Sequence, residues 1–265
     1  MEALYPEALG TPQIAAFANS LADLGDRHAP DLNVETCGTW SMADLLWHLT
    51  EVQSFWAYII ANRPSGPESY QQPDRPADSA LAAALRAAAA KLSTALDAAD
   101  ASDGAWSWSD DHTVGFSIRR QTHEALIHYI DGILAAKQPI PQIAKKLAAD
   151  GVDEMVHLMI ADLPSWASFV PSNDVVRLEA HDTGDAWAMR LGRLTGTPPG
   201  SDEATDVPAA IPEADVVDQP GCTLTASAQD LCFWLWGRGN DLAVTAVGDV
   251  TLSSRLREII AANTQ

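Results

Sequence analysis

From Thr11 to about Leu163 the apolar residues recur at intervals of three and four, the rhythm of helices that bury one face. Between Thr11 and Arg27 the stripe is Ile14, Phe17, Leu21 and Leu24. A loop with Pro30 and Gly38 follows, and Ser41 then offers an N-cap to a second helix. Its stripe runs through Leu45, Leu46, Leu49, Val52, Phe55, Trp56 and Ile59. The Pro-, Ser- and Gln-rich stretch from Arg63 to Pro76 predicts a loop. Ala and Leu dominate from about Ser79 to Ala99 and predict a third helix suited to close packing. A second loop covers Ser102 to Gly115. A fourth helix is expected from about Phe116 to Lys137, ending before Pro139, and a fifth from about Gln142 to Asp162, ending at Pro164. Long helices with short to medium loops predict a bundle.

After Pro164 the period changes to two. Val175–Ala180 and Ala186–Leu191 alternate apolar and polar positions around Asp182-Thr183-Gly184-Asp185, a hairpin signal. Residues 195–220 are Pro-rich and acidic, which predicts an irregular connection or a weak edge strand. Then come an expected strand (Thr223–Ala226), helix (Ala228–Trp236), strand (Leu242–Val247) and closing helix (Ser253–Ala262). The expected fold class is therefore α+β: a helical bundle over residues 1–165, followed by a small α+β domain over 166–265.

Composition narrows the partners. The 265-residue chain carries a formal net charge of −20. That field repels nucleic-acid phosphates and anionic membranes, and weighs mildly against capture of polyanionic substrates. Cys37, Cys222 and Cys232 include no CxxC pair, which argues against a disulfide framework or a thiolate zinc site and fits a reducing compartment. The opening MEALYPEALG lacks the basic start and apolar run of a signal peptide, and no stretch reads as a membrane span. The expectation is a cytoplasmic protein, a monomer or weak homo-oligomer, whose partners are small molecules.

The candidate chemistry sits in Thr122–His128. Glu124 and His128 are four residues apart, hence on one helix face, where a carboxylate and an imidazole can reach one divalent cation. His48, isolated in the otherwise apolar second helix, is the candidate third ligand. Two histidines and one carboxylate leave coordination positions open, as catalytic sites do. The spacing by itself more often describes a solvated i,i+4 ion pair, and a lone buried histidine more often bonds to backbone.

Two segments decide between these readings by resemblance. W-S-M-A-D-L-L-W-H-L (Trp40–Leu49) and H-E-A-L-I-H-Y-I-D (His123–Asp131) resemble the two metal-ligand segments of the mycothiol-dependent maleylpyruvate isomerase family. H-D-T-G-D-A-W-A-M-R-L-G (His181–Gly192) is similar to the hairpin of that family's sterol-carrier-like C-terminal domain. A-S-A-Q-D-L-C-F-W-L-W-G-R (Ala226–Arg238) is similar to its helix motif, whose terminal arginine is implicated in activity. The resemblance implies a DinB-like four-helix bundle. It also implies a divalent metal, usually zinc, held by His48, Glu124 and His128, mycothiol as thiol cosubstrate, and Arg238 as a catalytic residue. The implied reaction is reversible addition of the thiol to a cis-unsaturated keto acid. Two other functions fit the same residues: a mycothiol S-transferase, and a non-catalytic small-molecule-binding protein.

Asp131, three residues after His128, either orients that imidazole or is an exposed helix charge. His123 points away from Glu124 around the helix and reads as support or bundle interior. Trp40, Trp234 and Trp236 read as packing residues, and Cys37 as a loop thiol without a role. His28, His112, His157 and His181 show no partner pattern.

Overall fold

The computed structural model describes residues 9–160, 163–214 and 219–263, and the chain separates into two compact units, Met1–Pro141 and Gln142–Gln265.

Among its described residues the first unit holds four α-helices, α1 (Thr11–Arg27), α2 (Met42–Ala61), α3 (Leu81–Asp97) and α4 (Val114–Ala135). Their starts follow their caps. Ser41 and Asp44 form a reciprocal capping box on α2. The Thr113 hydroxyl accepts from the Phe116 amide at 3.1 Å, so α4 begins at Val114, slightly earlier than expected. Each helix packs mainly on two neighbours, in the cyclic order α1–α3–α2–α4. Leu21, Leu45, Leu49, Leu85 and Leu92 are wholly buried in the shared core. At Gly132 the helices need the missing side chain: a Cβ there would stand 2.7 Å from Leu21 Cδ1 on α1.

The second unit opens with α5 (Lys145–Glu154), which continues as a π-helical turn over Met155–Met159. The sequence places this helix with the bundle, up to residue 165; its expected end at Asp162 lies outside the described residues. In the structure α5 packs on α6 (Ala228–Leu235), so the division falls after Pro141. Two prolines, Pro139 and Pro141, stop α4 from continuing. The apolar face of Leu147, Ala148 and Val152 is buried in the second unit, and Gln229 Oε1 accepts from Ile143 N at 2.8 Å.

The sheet has the order β3–β2–β1–β4–β5, with β1 (Ala167–Ala180), β2 (Ala186–Gly196), β3 (Thr205–Pro212), β4 (Cys222–Ala226) and β5 (Thr245–Gly248). β1 and β4 run parallel; the other pairs are antiparallel. The hairpin around Thr183 and Gly184 is present, with longer strands than the alternation shows. A bulge between Pro171 and Val175 breaks the period, and Ser172 Oγ bridges it by donating to Leu191 O at 2.9 Å. The 195–220 stretch contains the edge strand β3, where Pro208 is tolerated. β5 starts at Thr245 because Asp241–Ala243 forms a 3₁₀ turn capped by Asn240. The closing helix α7 (Val250–Asn263) begins early, with Asp249 Oδ1 accepting from Thr251 N at 3.0 Å. Trp234 and Trp236 are buried within this unit. Among the described residues no helix is long and apolar enough to cross a membrane.

Candidate metal centre

α2 and α4 lie side by side and antiparallel: His48 faces Glu124, and two turns further Trp56 faces Phe116. The pairing brings the three predicted ligands together. His48 Nε2 and His128 Nε2 each approach Glu124 Oε1 to 3.2 Å, and the three donor atoms lie within 4.8 Å of one another. A tetrahedral ion with bonds of about 2.0–2.1 Å has donor–donor edges of roughly 3.3 Å. The donor set therefore fits a four-coordinate divalent cation with little adjustment.

Accessibility grades across the site. The side chains of His48, Glu124 and His128 are 32%, 18% and 12% exposed, whereas Asp131 is fully buried. The Trp40 ring lies 4.8 Å from the His48 ring and 6.3 Å from that of His128, so this expected packing residue packs on the candidate ligands.

Asp131 is not an exposed helix charge. Its Oδ2 stands 3.0 Å from His128 Nδ1, and it accepts from Thr36 Oγ1 at 2.6 Å and Cys37 Sγ at 3.3 Å. With Nδ1 engaged by the carboxylate, Nε2, the atom facing Glu124, is the ring nitrogen left for a metal. Cys37, read from sequence as a thiol without a role, is thus part of the support. Its placement comes from the 3₁₀ turn Glu35–Cys37, which packs on α4. Cys37, His128 and Asp131 also cluster within 4.8 Å. The His128–Asp131 contact already occupies Nδ1 in this cluster, which marks it as the hydrogen-bonded support.

Arg120 escaped the sequence reading. Its Nη2 lies 2.7 Å from Glu124 Oε2, and its side chain is 6% exposed. The signal was available, since Arg120 precedes Glu124 by four residues on one face. Arg120 holds one carboxylate oxygen and leaves the other, Oε1, toward the imidazoles. His123 is fully buried in the bundle, as expected for an interior position.

Electrostatics follow the geometry. Burial by itself pushes the Glu124 carboxyl up. The charge and hydrogen bond of His128, with His48 and Arg120, outweigh it and hold Glu124 well below the usual carboxylate range. Burial likewise opposes the charged form of His128, but Glu124, Asp131 and Cys37 raise it well above an ordinary imidazole.

Arg238 lies outside the first unit. It belongs to the second unit, just beyond α6, where its Nη1 donates to Trp236 O at 2.5 Å.

Two imidazoles and a carboxylate on adjacent bundle helices define a candidate metal-binding bundle of the kind the sequence resembles. Residues 11–131 match the family model described as the mycothiol maleylpyruvate isomerase N-terminal domain. About nine-tenths of the chain also shares its fold with each of two solved structures. A crystal structure of a histidine-to-alanine mutant of mycothiol-dependent maleylpyruvate isomerase is 14% identical, with a TM-score of 0.60 over 89% of this chain and 90% of that one. A second crystal structure of mycothiol-dependent maleylpyruvate isomerase is 14% identical, with a TM-score of 0.55 over 90% and 93%. Among curated proteins no sequence match is found.

Proposed function

We propose that the chain is a metal- and mycothiol-dependent isomerase of the maleylpyruvate isomerase kind, acting in the cytoplasm on a cis-unsaturated keto acid. The observation that carries this reading is the convergence of His48 Nε2 and His128 Nε2 on Glu124 Oε1.

A cis double bond cannot rotate. A thiolate that adds to one of its carbons forms a C–S bond and moves the π electrons onto the conjugated carbonyl oxygen. The former double bond is then single and rotates among staggered wells. Reversal expels the thiolate and leaves the trans isomer. At neutral pH a free thiol with a pKa near 8.5 is only a few per cent ionised. A divalent ion such as zinc, when bound, supplies the positive charge that keeps the thiol ionised. The chain's own residues do the rest. His48, Glu124 and His128 would hold the ion. Arg120 and Asp131 fix Glu124 and His128. In this proposal Arg238 binds the substrate carboxylate, for which a guanidinium has the matching two-pronged geometry.

The experiment combines elemental analysis with product analysis in the presence of mycothiol. One equivalent of zinc, lost in His48→Ala and Glu124→Ala, together with trans product at constant free thiol, supports the isomerase. Consumption of thiol with formation of an adduct assigns a transferase instead. A folded protein that takes up no metal and is not stabilised by it overturns the reading in favour of a binding protein.

A further inference from the structure

α2 carries a second constellation beside the ligands. Glu51, Val52 and Phe55 follow His48 at i+3, i+4 and i+7, and so extend its stripe of the helix by about 5–10 Å. With Trp56, Tyr70 and Gln72 they line a shallow pocket of about 260 Å³. Phe55 is the corner of its walls. It stands at 84° to Trp56 with centroids 5.5 Å apart, and at 88° to Tyr70 with centroids 5.2 Å apart. The Trp106 ring backs both, 5.8 Å from Phe55 and 6.2 Å from Trp56.

Two polar groups at this lining have unmet capacity. Glu51 accepts from Gln72 Nε2, and among the described residues no basic side chain pairs with it. The Tyr70 hydroxyl oxygen is buried and has no hydrogen-bond partner among the described residues. Burial, and then the Glu51 charge, hold the Tyr70 proton more tightly than in an ordinary phenol.

Ring walls, a carboxylate and an unpaired hydroxyl oxygen together match an organic cation. A quaternary ammonium is drawn to aromatic rings and to a carboxylate, and a phenol oxygen can face its partly positive methyl groups. An anion would be repelled by Glu51, and a neutral apolar group would cover that charge without compensating it. The volume suits a headgroup rather than a drug-sized molecule, whose pockets run from about 300 to 1,000 Å³. The formal net charge of −20 concentrates cations around the chain.

We propose that this pocket binds the ammonium group of a small molecule. Resting on the function proposed above, it further assigns that group to the electrophile that meets the thiol. The test is titration of the full-length, zinc-treated protein with choline and with its neutral isostere 3,3-dimethylbutan-1-ol, followed by tryptophan fluorescence and calorimetry. Choline is expected to bind about tenfold more tightly than the isostere. Glu51→Gln and Phe55→Leu should each weaken choline about tenfold at unchanged zinc content and helical circular dichroism. Equal binding of the two probes, or no choline binding, overturns the proposal. His48→Ala separates the two readings, since it should lose zinc and keep choline. A wild-type protein that binds choline but no zinc supports the pocket and overturns the metal reading alone.

Discussion

Replacing Asp131 by alanine tests how far the metal centre depends on its buried support. In the native chain the carboxylate meets the Thr36 hydroxyl at 2.6 Å, the Cys37 thiol at 3.3 Å and His128 Nδ1 at 3.0 Å. Hydrogen bonds to a charged group contribute about 1.5–3 kcal/mol each, and a thiol donor contributes less. Asp131→Ala leaves the imidazole and the hydroxyl facing a void, and about 3 kcal/mol of stability should be lost. The effect on metal is separate. The imidazole loses the group that fixes its tautomer and its angle, a change that in comparable sites weakens binding about 10–100-fold, or about 1.4–2.7 kcal/mol. Asp131→Asn keeps one acceptor oxygen and should fall at the lower end of that range. Competition against a chromophoric zinc chelator measures the affinity, with circular dichroism as the check on folding. A folded Asp131→Ala protein that binds zinc within about a factor of two of the native chain would refute the reasoning.

Other consequences follow from the same geometry. His128 is held protonated well above its ordinary range, so zinc uptake at pH 7 should release about one proton, and affinity should rise about tenfold per pH unit up to the raised His128 value; calorimetry in buffers of different ionisation enthalpy reads the proton count, and a count of zero contradicts the assignment. In the metal-free protein the contribution of His128 is complete below about pH 6.5 and fades as pH rises through its raised value, while that of Glu124 is complete above about pH 4.3 and fades as pH falls through its depressed one. A melting profile of the metal-free protein should therefore be flat between those limits and decline outside them. Arg120→Met breaks a buried pair and should cost about 3 kcal/mol in denaturant unfolding, along with weaker zinc binding. Gly132→Ala places a methyl 2.7 Å from Leu21 Cδ1 and should destabilise the first unit by about 1–3 kcal/mol, measured by thermal melting. Arg238→Ala should lower turnover and retain full zinc content, which separates a substrate contact from a role in the metal centre.

The helices of the first unit were legible because their signals are local. An apolar stripe closed by Ser41 or Thr113 specifies both the element and its start. The allegiance of α5 was not legible, since an amphipathic helix does not say which core will bury it. Likewise the bulge at Ser172–Asp174 breaks the alternation that a sequence reading relies on, and the hairpin looked shorter than it is. At the centre, Glu124 and His128 are linked by helical spacing, whereas His48 stood out as the histidine of an otherwise apolar helix and was joined to them by resemblance. Thr36 and Cys37 could not be read at all: they lie 95 and 94 residues from Asp131 along the chain, in a turn without periodicity.

Arg120, Glu124, His128 and Asp131 occupy positions i, i+4, i+8 and i+11 of one helix, so with His128 protonated the row alternates plus, minus, plus, minus. Such a row is self-neutralising before any ion arrives. A chelator would then silence the chemistry and spare the scaffold, with helical circular dichroism intact, the reverse of a zinc finger, whose chain collapses without its ion. Supply of the ion would set how many molecules are competent, while the pool of folded chains stayed constant and ready for reloading.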